Sequence, residues 1–564
     1  MNNYVSVLKL LIKNMFRRDR AKAKSFGKML LVVFGLLITY AAVSFLFITL
    51  IYFMGSSFAA FSLQSEFVSM ILATGLMVVL IFGIVTVLTC LYFSRDTEFF
   101  FALPIKPATV FAAKLTIVYL TELAVTALIM IPCLIAAGIV MSLPAIFYVL
   151  LPVAVLFTPV IPLVLAAIIS IPVMYVVSFL KNRGALGSIV VIVLFGAFFG
   201  LYYAGVSQMQ NINPQEIDLS GMQDMFRKIA STMYPLYALA RAMTATPVFG
   251  LGAAASVAVN LAIYFGIVVA LGALVLFISS TVYRRGASGQ LEGAKRNKTA
   301  NVSYRGSGTV KALMKKEWRE ILRTPAFALN CLLGIVMCPI IVVFFGLTTK
   351  TSMAAGEMAS QSEAQIQIMR TVMKFMMLWF VMFMSVGTNA GPATALSREG
   401  EKFYYTKIIP VDYKTQLKAK SYVYIIISSI SSVSGSVAMA ILDFNISFFV
   451  CSLIFLLIYN FAAVHFGMLL DVNNPKLKWT TPNEAVKHNK NVMITVFGCM
   501  FVSMLLAVAS GALNVVVMRS GSVSGTVANL VSLGALIAVT VAAAAIMYVM
   551  FYKNCERKID EIEV

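Results

Sequence analysis

The sequence predicts an all-α, polytopic membrane protein of about 12 transmembrane helices, built as two six-helix halves in a parallel, pseudo-two-fold repeat. Three observations predict it. Apolar runs of about 20 residues, the length that crosses a bilayer as one helix, recur along the whole chain. Lys and Arg crowd into alternate loops. The loops after the second and eighth runs repeat one string of residues.

The composition fits only a membrane chain. Of 564 residues, 60% are hydrophobic and 12% charged, with a mean hydropathy of +0.91. A soluble domain carries about 25% charged residues. The longest polar stretches are about 40 residues, too short for a separate soluble domain. The short alternating segments of a membrane barrel are absent. The net charge of +21 is spread over alternate loops, which marks topology and gives no nucleic-acid partner. Six of the seven cysteines fall inside apolar runs, Cys555 being the exception, and their spacing suggests neither a disulfide nor a zinc site. The first 28 residues are basic and amphipathic, and the first long run lacks a small-residue cleavage site, so no cleavable signal peptide is expected.

The first six expected spans are 29–54, 67–93, 116–141, 145–180, 187–206 and 251–283. The second six are 327–347, 370–396, 421–442, 446–470, 491–515 and 522–552. The run 145–180 is long for one crossing and holds Pro152, Pro159, Pro162 and Pro172, so it is read as one kinked or projecting helix. With the N-terminus in the cytoplasm, about 37 of the 44 Lys and Arg lie inside. Both termini are therefore expected to be cytoplasmic, in the cell membrane.

Each half begins with an amphipathic segment. Val5, Leu8, Ile12 and Met15 share one helical face before span 1; Val310, Leu313, Met314, Trp318 and Ile321 share one before span 7. Apolar stripes flanked by Lys and Arg suit helices lying in the inner membrane interface. The repeated loops are more specific. Ser94-Arg95-Asp96-Thr97-Glu98 and Ser397-Arg398-Glu399-Gly400-Glu401 each lead through aromatics to a proline, Pro104 or Pro410, and end on a lysine ten residues later, Lys114 or Lys420. Six spans per half give both halves the same polarity. The halves are 1–283 and 305–564, joined by a basic, Gly/Ser/Lys-rich linker, 284–304.

These loops resemble those of type-2 ATP-binding-cassette exporter permeases, in which an acid-x-Glu pattern, Leu-Pro-Ile and a lysine precede the third span. In that family the loop forms the coupling helix that docks into the ATPase subunit. The resemblance implies docking roles for Arg95, Asp96, Glu98, Phe101, Leu103, Pro104 and Lys106 in the first half. It implies the same for Arg398, Glu399, Glu401, Tyr405, Ile409, Pro410 and Lys414 in the second. Ser231 to Arg241 is similar to the family's outer Asn-Pro-Leu segment, with Tyr234 in place of Asn; Tyr234, Pro235 and Arg241 are outer-gate candidates. The family usually carries one six-helix copy per chain; here two are fused. The implied partners are two separately encoded ATPase subunits that use ATP and Mg, with no cofactor in this chain. The implied activity is export of a hydrophobic or amphipathic substrate of unknown identity.

No Gly-x4-Gly-Lys-Ser/Thr phosphate loop is present, and the two histidines, His465 and His488, cannot form a His-Glu-x-x-His centre, so no catalytic residue and no metal site are expected. Glu122, near the start of span 3, is an intramembrane polar candidate, with an interfacial role favoured by its shallow place. Asn260, Asn389, Asn460 and Asn529 read as helix–helix hydrogen-bond partners. The scarcity of buried acids argues against ion-coupled energy. A 12-helix secondary carrier stays open, although Phe93 to Glu98 lacks the Gly and Arg cluster of major facilitators. A non-transporting scaffold or regulator stays open too. Between spans 5 and 6, short outer helices are expected around Met225 to Arg241.

Overall fold

The computed structural model of the chain describes residues 3–15, 61–92, 94, 96–178, 219–247, 250–295, 308–354, 363–442, 445–479, 481–487, 489–519 and 525–562, with scattered positions between 37 and 60. Among the described residues, nine helices are long and apolar enough to cross a membrane. A further 29-residue helix, Gln64–Tyr92, holds a single charged side chain, Glu66. The expected run 29–54 lies mostly, and 187–206 wholly, outside the described residues. The described residues fall into two compact units. The first lies within Met1–Arg183 and Asn213–Lys298, the second within Thr299–Val564; Gly184–Ile212 is outside the description.

The first unit comprises α1 (Asn3–Met15), α2 (Gln64–Tyr92), α3 (Thr97–Ala102), α4 (Pro107–Val140), α5 (Ala145–Phe157) and α6 (Val160–Ser178). It continues with α7 (Leu219–Thr232), α8 (Tyr234–Met243) and α9 (Ala253–Lys295). Pro107 opens α4, where its missing N–H costs nothing and its φ is already helical. The turn from α4 to α5 brings the helices so close that a Cβ on Gly138 would sit 2.8 Å from the Tyr148 hydroxyl. The run 145–180 is one crossing with a break at Thr158–Pro159, as its prolines suggest. The core centres on α2, with Phe67, Leu72, Met130, Leu134, Phe147, Leu239 and Tyr264 buried. Helix α9 is 43 residues long and carries on through the start of the expected linker to Lys295, so that segment begins as helix.

The second unit comprises α10 (Thr309–Arg323), α11 (Pro325–Ala354), α12 (Glu363–Met382), α13 (Tyr404–Ile408) and α14 (Tyr413–Leu442). It continues with α15 (Ile446–Asn473), α16 (Pro482–Val486), α17 (Lys490–Arg519) and α18 (Gly525–Asp560). The expected span 370–396 is not one regular helix. After α12 the chain passes through a π turn, Phe383–Gly387, and two 3-10 turns, Pro392–Thr394 and Ser397–Phe403. Pro392 has no N–H for a helical bond, and Asn389 Oδ1 takes the Gly391 N–H at 3.0 Å instead. Residues 389–400 are all buried, which shields their irregular backbone from lipid.

Helix α14 shows how such a unit coheres. Ile430, Val433, Val437 and Ile441 form an exposed stripe, while Ser428, Ser431, Ser432 and Ser436 are buried. The branched aliphatics face outward and the hydroxyls inward, the reverse of a soluble helix. Asn460 Nδ2 donates to Ser432 Oγ (2.8 Å), Ser385 Oγ to Asn460 Oδ1 (3.0 Å), and Asn389 Nδ2 to Ser428 Oγ (3.1 Å). Asn529 Oδ1 accepts from Asn514 Nδ2 at 3.0 Å. Three of the four asparagines thus join separate elements, while Asn260 bonds to Ser256 within α9.

Candidate functional site

In the first unit the repeated loop folds around a buried lysine. Lys114, 1% exposed, pairs with Asp96 Oδ1 at 2.9 Å and donates to Ser94 Oγ at 2.5 Å. Its ammonium stands 5.8 Å from the Phe100 ring centre. This clasp ties the start of α3 to the first turns of α4. Between them Phe99, Leu103 and Pro104 are exposed and form an apolar knob, with exposed Lys106 beside it. Helix α1 supports the loop through hydrocarbon: Val7 is buried with Phe100, Val110 and Ala113, and Tyr4 and Leu11 pack alongside. Tyr4 OH and Thr116 Oγ1 are 2.8 Å apart.

The second loop repeats the clasp. Lys420 pairs with Glu399 Oε1 at 3.0 Å, the two residues that correspond to Lys114 and Asp96 in the repeated string. Here, however, α10 brings a carboxylate. Glu317 pairs with Lys420 at 2.8 Å, forms an ion pair with Arg398, and accepts from the Tyr424 hydroxyl. Arg398 also lies over the rings of Phe327 (5.4 Å) and Tyr424 (5.5 Å). Thr406 Oγ1 donates to Glu399 Oε2 at 2.6 Å. Two carboxylates and two cations thus balance within one buried cluster. Burial alone would raise the Glu317 pKa, but Lys420 and then Arg398 outweigh it and hold it down to about 2. The neighbouring Glu320 is pushed up, first by burial and then by Glu317.

A second anchor holds the backbone just before this loop. Asp471 on α15 accepts from the N–H groups of Leu396 (2.6 Å) and Ser397 (3.1 Å), from Ser397 Oγ, and from Asn491 Nδ2 at 3.1 Å. Trp479 Nε1 donates to Ser397 O at 2.8 Å. Gly400 has φ +55°, and a Cβ there would lie 2.9 Å from the Trp479 ring, so the turn needs glycine twice over. Beyond it Glu401, Tyr404, Tyr405, Ile408, Pro410 and Lys414 are exposed and Ile409 is half-buried.

With these elements in place, the family can be assigned. A family described as membrane protein of 12 TMs matches residues 32–549. The chain belongs to that family. No curated protein and no solved structure matches it. As a 12-span, multi-pass membrane protein it accounts for its ten described long helices and for the two apolar runs that lie largely outside the description.

Several expectations for this 12-span protein need correction. Arg398 and Glu399, assigned to partner docking, are buried, because each neutralises an opposite charge inside the cluster. Asp96 is also largely covered, at 15% exposure. Arg95, and the side chains of Glu98, Phe101 and Met15, lie outside the description, as does His488. In α1 the buried face is Tyr4, Val7 and Leu11; Leu8 and Ile12 are half-buried beside it and Val5 is exposed. In α10, Ile321 is core, packed near Phe403 and Leu417, and does not face lipid; Leu313 and Trp318 are half-buried. Glu122 lies near the middle of α4, is 1% exposed, and accepts from Thr86 Oγ1 at 2.9 Å.

At the other end of the first unit, Tyr234 is exposed, Pro235 half-buried, and Arg241 donates to Pro247 O at 2.9 Å. The firmer anchor is Tyr237, whose hydroxyl donates to the buried Glu66 at 2.9 Å. Burial, followed by Glu66, raises the Tyr237 pKa to about 12. His465 is walled by the rings of Phe461, Tyr548, Phe551 and Tyr552, a packing role. Among the described residues no group of three His, Cys, Asp or Glu could hold a metal.

Sequence reasoning passed over Glu317, Tyr424, Asp471 and Trp479. The signal for Glu317 was available. It stands one helical turn from both Leu313 and Ile321, inside the apolar stripe of α10, where a charge needs a buried partner.

Proposed function

We propose that this 12-span protein is the membrane permease of an ATP-binding-cassette transporter. In this reading it exports a hydrophobic or amphipathic substrate using ATP and Mg bound by two separate ATPase subunits. One observation carries the reading: in each unit an acid–lysine clasp holds a loop so that its aromatic and proline-bearing tip is exposed. A rigid apolar knob with charged neighbours suits the centre and rim of a protein interface. The buried members of the repeated string then work as a mount, and the partner meets the exposed tip: Phe99, Leu103 and Pro104 in one loop and Tyr404, Tyr405, Ile408 and Pro410 in the other, with Lys106, Glu401 and Lys414 at the rim. Force applied to a knob would pass through Lys114 or Lys420 directly into the third span of its half.

The test is co-purification of an ATPase with the full-length chain in lipid. Leu103→Asp and Ile408→Asp each should remove roughly half of the retained ATPase and the double variant nearly all, because a charge at the centre of a desolvated contact is strongly unfavourable. Transport that survives the double variant and follows the proton gradient would sink the permease reading in favour of an ion-coupled carrier.

A further inference from the structure

Helix α18 does not stop where its apolar stretch ends. It runs to Asp560, and the described chain continues to Ile562. Phe551, Cys555 and Ile559 of these last turns are buried in a cluster with Ile321, Phe403 and Leu417. Their four-residue spacing fixes one face of the helix beneath the second loop. The polar edge is fixed as well. Lys407, on α13, donates to the carbonyls of Ile562 (2.7 Å) and Asp560 (3.3 Å). Carbonyls at a helix C-terminus have no partner within the helix, and a cation there also meets the negative end of the helix dipole. Lys414 pairs with Glu556 at 3.3 Å, both side chains about half exposed. Two basic residues of the second loop are therefore already held by the last helix.

We propose that the second docking surface is composite: the ATPase subunit that takes the second knob also touches the outward turns of α18. This rests on the permease reading and goes beyond it, because it adds the last turns of α18 to the contact made by the second knob. These last turns of α18 form a strap whose outward face carries Lys553, Glu556, Arg557 and Asp560, all exposed. It continues through Lys407 and Lys414 into the tip that bears Tyr404, Tyr405 and Ile408. An apolar centre bordered by charges of both signs has the composition of a protein interface, and hydrocarbon would reject those charges. The first loop is backed by the apolar side of α1. The strap thus extends the surface offered to the subunit that takes the second knob.

The experiment uses the full-length chain in lipid nanodiscs and counts the ATPase subunits it retains through purification. Two variants are compared with the parent: Glu556→Lys, at a half-exposed position that folding tolerates, and a chain truncated after Glu556. Hydrogen exchange over 404–414 reports whether the strap has left the loop. The expected result is two subunits on the parent and about one on the truncated chain, with faster exchange in the loop. Glu556→Lys should weaken one of the two sites by about tenfold through like-charge contact. Two subunits held with unchanged affinity by both variants would overturn the composite surface and leave the permease reading standing. A parent that retains none would overturn both.

Discussion

The two repeated loops share a clasp and differ in what lies behind it. Asp96–Lys114 and Glu399–Lys420 are the same pair of positions at nearly the same separation, 2.9 and 3.0 Å. Behind the first pair stands Val7, among Phe100, Val110 and Ala113. Behind the second stands Glu317, bound to both Lys420 and Arg398. The two units share the bond that shapes the knob and differ in its support, which is hydrocarbon in one and charge in the other. The two supports respond to different insults. Packing loses a methylene at a time, whereas a balanced ionic cluster fails when any one member goes.

The largest test of this contrast is Glu317→Ala. It strands Arg398 and Lys420 in a buried site and should cost about 3–5 kcal/mol. Val7→Ala, its counterpart, should cost about 1.5 kcal/mol by loss of two buried carbons. Thermal unfolding in lipid compares them, and equal losses would break the contrast. Acid comes next. The Glu317 carboxyl is depressed from 4.5 to about 2, so its contribution is complete above about pH 4.5 and fades as pH falls toward 2. Hydrogen exchange in the second loop should therefore quicken over that range, as Glu317 takes up its proton. Gly400→Ala should follow, at about 1–3 kcal/mol for a sparsely populated positive-φ backbone, with Trp479 displaced and its fluorescence shifted. The smallest effect is Lys316→Ala. Its pair with Glu399 is 3.7 Å long and the lysine is 46% exposed, so the cost should stay below about 1 kcal/mol.

The sequence disclosed what depends on one-dimensional pattern. Apolar runs located the described spans, and the four prolines of 145–180 announced the break at Thr158. The repeated string found both loops, since it required only matching letters. What it could not disclose was the side that each letter faces. Arg398 and Glu401 look equally like surface charges in the string, yet one is buried and the other exposed. The difference comes from Gly400, whose positive φ turns the chain outward between them. Asp471 lay beyond the reach of pattern because its partners, Leu396 and Ser397, belong to a distant part of the chain. Glu317 was within reach, because a carboxylate amid Leu313, Met314, Trp318 and Ile321 breaks its stripe.

Helix α14, with its serines turned inward, has a consequence for temperature. Water-driven cohesion weakens on cooling, because the solvent entropy behind it fades. Where lipid surrounds a unit, contacts such as Ser432–Asn460 and Ser428–Asn389 are not driven by that entropy. The membrane-embedded half of this unit should therefore hold its shape in the cold, and loosening should begin at the apolar seams that water reaches, beneath the loops.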